Sequence, residues 1–128
     1  ACPEGYDPAD DVKAMNAGFV SYFRDPKEAV KGVEVVVTDT WASMGQEAEK
    51  KAREQAFQGY QVDDAMMQLA APDAIFMHCL PAYRGMEVTN EVMEGAQSVI
   101  WDEAENRLHA QKALLEILVR GFPEGMPE

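Results

Sequence analysis

The run Val33-Glu-Val-Val-Val-Thr38 constrains this chain more than any other stretch. β-Branched side chains are stiff at χ1 and favour pleated surfaces over helices. A nearly continuous run of them reads as a strand buried on both faces, the kind found inside parallel sheets. Ala74 to Leu80 is a second such strand, and Ser98 to Trp101 reads as a third. Helix-forming segments lie between and after these runs. Gly45 to Phe57 is mostly polar and rich in Glu, Lys, Ala and Gln, Val62 to Ala70 reads as a short helix, and a last helix is expected from about Glu103 to Arg120. Leu108, Leu114, Leu115, Ile117, Leu118 and Val119 give that last helix a wide apolar face. Upstream, Phe19 to Arg24 reads as a short aromatic strand, and Asp25-Pro26 opens a helix, since proline suits the first helical position.

Strands alternating with helices imply an α/β fold with an open parallel sheet and flanking helices. In such sheets ligands gather outside the carboxyl ends of the strands. Three clusters fall there: Asp39 to Gly45, His78 to Pro81, and Glu103 to Arg107. The architecture thus brings together what the sequence keeps apart. The opening Ala1-Cys2-Pro3-Glu4-Gly5 reads like the end of a strand turning into a loop, so a neighbouring strand is expected to be missing and the chain to be a fragment.

Charge narrows the function classes. With 23 acidic against 11 basic residues the net charge is −12 across 128 residues, which repels phosphate backbones and acidic membranes. No apolar run approaches the roughly 20 residues of a membrane span, and the chain reads as a cytoplasmic protein. Cys2 and Cys79 have no CxxC partner and are expected to be free thiols. Residues 1–120 read as one α/β domain and 121–128 as a flexible tail, because Gly121-Phe-Pro-Glu-Gly-Met-Pro-Glu cannot continue a helix.

Each site candidate carries two readings. Asp39 or Ser43 could cap a following helix; equally, a carboxylate here could hold an ammonium group while Ser43 and nearby backbone N–H groups receive a carboxylate. Together those are what recognising an amino acid requires. Cys79 could be a small buried hydrophobe, or a polar group at a strand end beside His78. His78 itself reads more readily as a hydrogen-bonded structural residue than as a base. Pro81 ends the strand and frees nearby carbonyls, and a cis bond before it is an option the sequence leaves open. Arg107, in the first turn of the expected last helix, is a cation where the macrodipole disfavours one, so it calls for an anion, either Glu103 or a ligand. Met66, Met67 and Met77 read as core filling, and Glu47 to Arg53 as a solvated helix face.

Asp39-Thr-Trp-Ala-Ser-Met-Gly45, His78-Cys-Leu-Pro81 and Ala104-Glu-Asn-Arg-Leu-His-Ala-Gln-Lys-Ala-Leu114 together resemble the C-terminal, ornithine-binding domain of the ornithine carbamoyltransferases. The resemblance runs from Ala1 to about Leu118, and the segment from Asp10 to Phe19 is short for that family. It implies a Rossmann-like aspartate/ornithine carbamoyltransferase domain lacking its first strand and helix. It implies transfer of a carbamoyl group from carbamoyl phosphate to L-ornithine, giving L-citrulline and phosphate, without metal or organic cofactor. It implies that Asp39, Ser43 and Met44 hold ornithine, that Cys79, Leu80 and Arg107 meet carbamoyl phosphate, and that Cys79, Asp39 and Arg107 are catalytic. Trimers, or multiples of them, are the implied assembly of the full-length enzyme.

These residue types suit that chemistry. An alkyl ammonium, with a pKa near 10.4, must lose a proton before it attacks. Asp39 and Cys79 are suited to orient that amine and help remove its proton, while Arg107 and strand-end carbonyls polarise the carbamoyl group. The Ser-x-Arg-Thr phosphate loop of the family does not occur here, so the phosphate site must come from elsewhere and the chain alone is expected to be inactive. The alternatives are a carbamoyltransferase for acetylornithine or putrescine, and a non-catalytic amino-acid-binding domain. Ser43-Met44-Gly45 disfavours the first, since it provides for a free α-amino acid.

Overall fold

The computed structural model describes residues 1–42, 45 and 49–121. Its elements run α1 (Asp10–Met15), α2 (Pro26–Val30), β1 (Val35–Thr38), α3 (Lys50–Ala56), α4 (Asp64–Met67), β2 (Ile75–His78), α5 (Asn90–Met93) and α6 (Ile100–Arg120). β1 and β2 pair in parallel, with Val35 opposite Ile75 and Thr38 opposite His78. A parallel pair needs a long crossover, supplied here by the stretch that carries α3 and α4. The result is the expected α/β arrangement of parallel strands with flanking helices.

Local chemistry sets the helix starts. The Asp25 side chain accepts from Lys27 N at 2.9 Å, just ahead of Pro26 at the first helical position. Asp63 does the same for Met66 N at 2.8 Å, and Thr89 for Val92 N at 3.3 Å. Gly121, at φ 84°, closes α6 in a conformation that a residue bearing a Cβ resists.

The core gathers where β2 meets the short helices: Phe76, Val88, Ile100, Met66, Met67 and Val92 are buried in one cluster with Val36. Burying side chains of this size contributes roughly 1.5–3 kcal/mol each. Met77, read as core filling, is only half-buried.

Four expectations need correcting. Phe19 to Arg24 forms no strand: Phe19 is 92% exposed, its N–H bonds to Asn16 O in a turn, and Cys2 N to Phe23 O is a lone link rather than a ladder among the described residues. β1 is not buried on both faces. Val36 is buried, but Val35 and Val37 are exposed, lining an open hollow along β1. Ser98 to Trp101 forms no third strand. Ser98 alone bridges to Phe76; Val99 then leaves the extended region (φ −117°, ψ 24°), and the fully buried Ile100 begins α6. α6 therefore starts three residues earlier than Glu103, and Arg107 stands beyond its first turn.

The charged segment that runs into α3 also differs from a plain solvated face. Arg53 is half-buried, bonded to Glu49 Oε2 at 3.1 Å, with its guanidinium 5.2 Å from the Tyr6 ring centre. Phe57 stacks on Trp41 and meets Tyr6 and Tyr60 edge-on. Gly45, at φ 89°, belongs to the described part of the loop before α3. Most of the tail expected at 121–128 lies outside the described residues.

Candidate active site

β1 and β2 run in register, so the residues that follow them emerge side by side. Asp39 follows Thr38 and Cys79 follows His78, and the Cys79 thiol donates to Asp39 Oδ1 at 3.3 Å. The same oxygen accepts the Thr40 N–H at 2.7 Å, so Asp39 caps its own turn. It does not cap α3, the next helix among the described residues, which starts at Lys50 behind Glu49 with no side-chain cap. Both Asp39 and Cys79 are exposed. Partial burial, and then the neighbouring Asp39 carboxylate, push the Cys79 thiol above its ordinary pKa, which keeps it protonated at neutral pH. Cys2 is also a free thiol, remote in sequence from this pair.

His78 points the other way. It is 1% exposed, and its backbone N–H donates to Glu103 Oε2 at 2.9 Å. Its Nδ1 accepts from Leu80 N at 2.9 Å, and its Nε2 faces Glu87 Oε1 at 3.3 Å. A ring so enclosed is a structural residue rather than a base. Leu80 takes φ 57°, and the Leu80–Pro81 bond is cis.

Asp39, His78 and Cys79 can each offer one metal-ligating atom, all within 4.8 Å of one another. Both imidazole nitrogens are committed to Leu80 and Glu87, however, which leaves a thiol and a carboxylate without a third free donor among the described residues.

Glu103 joins the cluster from α6 through His78 N. Arg107 lies four residues on, one turn further along the same helix face. It is exposed and makes no ion pair among the described residues, so Glu103 is not its partner. Ser43 and Met44 lie outside the described residues. A hollow of about 480 Å³ runs along β1 and reaches Asp39, bordered by Thr40, Trp41, Arg53 and Phe57.

Sequence reasoning missed Glu87. It sits between the half-buried Met86 and the buried Val88 with no motif to mark it, so the sequence alone does not distinguish it from a solvated acid. Glu103 was placed in a candidate cluster, but its bond to the His78 backbone has no sequence signature.

Comparison with known proteins decides the family. A model of the aspartate/ornithine carbamoyltransferase family, Asp/Orn-binding domain, matches residues 1–118. The chain belongs to this family. It is 60% identical over 119 residues to the ornithine carbamoyltransferase of Hydrogenovibrio crunogenus, covering 93% of this chain and 39% of that protein. Among solved structures, the ornithine carbamoyltransferase of Pyrococcus furiosus superposes with a TM-score of 0.82 at 48% identity, over 94% of this chain and 41% of that one. The anabolic ornithine carbamoyltransferase of Campylobacter jejuni gives 0.84 at 41% identity, over 95% and 43%. The chain thus spans about two fifths of the length of the relatives it matches. No helix among the described residues is long and apolar enough to cross a membrane.

Proposed function

We propose that this chain is the ornithine-binding part of an ornithine carbamoyltransferase, which transfers the carbamoyl group of carbamoyl phosphate to L-ornithine. The observation that carries the reading is the Cys79 thiol donating to Asp39 at the paired ends of β2 and β1, inside a chain 60% identical to such an enzyme. Asp39 is an exposed acceptor suited to the side-chain ammonium of ornithine, and Cys79 sits against it to receive the same amine. Leu80 and Arg107 border the carbamoyl group, where a permanently charged guanidinium stabilises the developing oxyanion. Ser43 and Met44 take the amino-acid end of ornithine. No metal or organic cofactor is part of this chemistry.

A net charge of −12 argues that the doubly negative phosphate is bound outside this chain, so residues 1–120 serve as the amine-acceptor domain. The assembled enzyme is read as a cytoplasmic trimer, or a multiple of one. The solved N-acetyl-L-ornithine transcarbamylase matches less well, with a TM-score of 0.59 over 71% of this chain, which supports a free amino acid as acceptor.

The test is a spliced enzyme in which this chain replaces the matched 119 residues of the Hydrogenovibrio crunogenus protein. Citrulline formation with ornithine, and at least about tenfold lower kcat/KM with putrescine or N-acetylornithine, is the expected result. A folded splice that prefers either alternative amine overturns the reading.

A further inference from the structure

Glu87 is fully buried, yet its Oε2 has no hydrogen-bond partner among the described residues. A buried carboxylate oxygen left in that state is costly, so a fold shaped for stability alone would not favour it. The other oxygen explains its presence. Glu87 Oε1 accepts the Tyr83 N–H at 2.6 Å and faces His78 Nε2 at 3.3 Å. His78 in turn accepts the Leu80 N–H on Nδ1. An acceptor on Nδ1 requires the ring proton on Nε2, aimed at Glu87. One carboxylate oxygen therefore grips the loop at Tyr83 directly and at Leu80 through the imidazole.

At the second of those grips the backbone does something it resists. Leu80 sits at φ 57°, a left-handed conformation disfavoured for a residue bearing a Cβ. Such a geometry persists only where its surroundings over-determine it. Here the surroundings are the Leu80 N–H to His78 bond and the packing of the half-buried Leu80 side chain against the core. We propose that Glu87 and His78 are a positioning pair, which fixes the ring tautomer and holds the turn that presents Cys79 and Leu80. That these two residues face substrate rests on the functional reading above; the pair and its geometry do not.

The experiment uses the 128-residue chain with Cys2 replaced by Ser, so that Cys79 is the single thiol. Nitrogen NMR of the unaltered His78 ring is expected to show a proton on Nε2 and an acceptor on Nδ1; a proton on Nδ1 overturns the proposal without any further variant. Glu87→Gln keeps the Oε1 acceptor and is expected to leave both the tautomer and the Cys79 alkylation rate unchanged. Glu87→Leu removes it. The ring is then expected to populate both tautomers, and Cys79 to drift from Asp39. For each unit that its pKa falls, thiolate rises about tenfold and intrinsic nucleophilicity falls partway, a net gain of about threefold in alkylation rate. A folded Glu87→Leu chain with wild-type tautomer and alkylation rate also overturns it. In the spliced enzyme, Glu87→Leu is expected to lower kcat/KM by about 10- to 100-fold, with Glu87→Gln restoring it. The first two readouts need no substrate, so a splice that made no citrulline would leave them standing.

Discussion

The two strand ends are held in opposite ways. After β2, the His78 backbone N–H and both ring nitrogens are engaged by Glu103, Leu80 and Glu87, and the ring is sealed from water. After β1, the Asp39 carboxylate accepts only its neighbour's N–H and a thiol proton among the described residues, and remains exposed. The first end is a frame and the second a point of contact. The hydrogen bonds that enclose the His78 ring hold what they touch, although Glu87 Oε2 has no partner among the described residues, whereas an exposed carboxylate keeps lone pairs for a ligand. The pairing of β1 with β2 lets the frame place the contact, because the register that aligns Thr38 with His78 also sets Asp39 beside Cys79.

The same contrast extends to packing. Phe76 and Ile100 lie in the core on the β2 side, while Val37 of β1 and Leu118 of α6 are 64% and 71% exposed. The largest expected effect is therefore Phe76→Ala, which should lower unfolding stability by about 3–5 kcal/mol in a denaturant titration. A loss below about 1 kcal/mol would mean that the frame is not where the stability lies.

A second prediction concerns the contact. Partial burial, followed by Asp39, raises the Cys79 pKa, so the alkylation rate of Cys79 should rise with pH on a profile displaced to the alkaline side of an ordinary thiol. Asp39→Ala should bring the profile only partway back, since burial also raises the thiol pKa and remains. The sign for stability follows. The neutral thiol is the form favoured by the fold, so its contribution is fully present below the ordinary thiol pKa and is lost as pH rises through the folded value. The smallest effect is Leu118→Ser, expected within about 0.5 kcal/mol of the unaltered chain, because the side chain has little packing to lose.

Much of the α/β order was legible because β-branched runs and capping residues act locally. Val35–Thr38, Ile75–His78 and the helix after Asp25-Pro26 stand where the sequence puts them. Phe19 to Arg24 misled because aromatic content suggests a strand without supplying a partner for its backbone. Ser98 to Trp101 misled for a related reason: Val99 and Ile100 suit a strand, but the burial of Ile100 is achieved at the start of a helix instead. At the site, Asp39 and Cys79 were legible as strand-end polar residues, and the parallel pairing does bring them into contact. Glu87 was not legible, since its partners are set by a turn whose backbone geometry leaves no trace in composition. Arg107 was read as an unfavourably placed first-turn cation, whereas α6 begins early enough to put it on the turn beyond Glu103.

The most direct measurement is the rate of citrulline formation by the spliced enzyme before and after Asp39→Asn, with the fold checked by circular dichroism. If Asp39 orients the amine and helps remove its proton, the rate should fall by about 10²- to 10⁴-fold. A folded Asp39→Asn enzyme that makes citrulline at the unaltered rate would contradict the account.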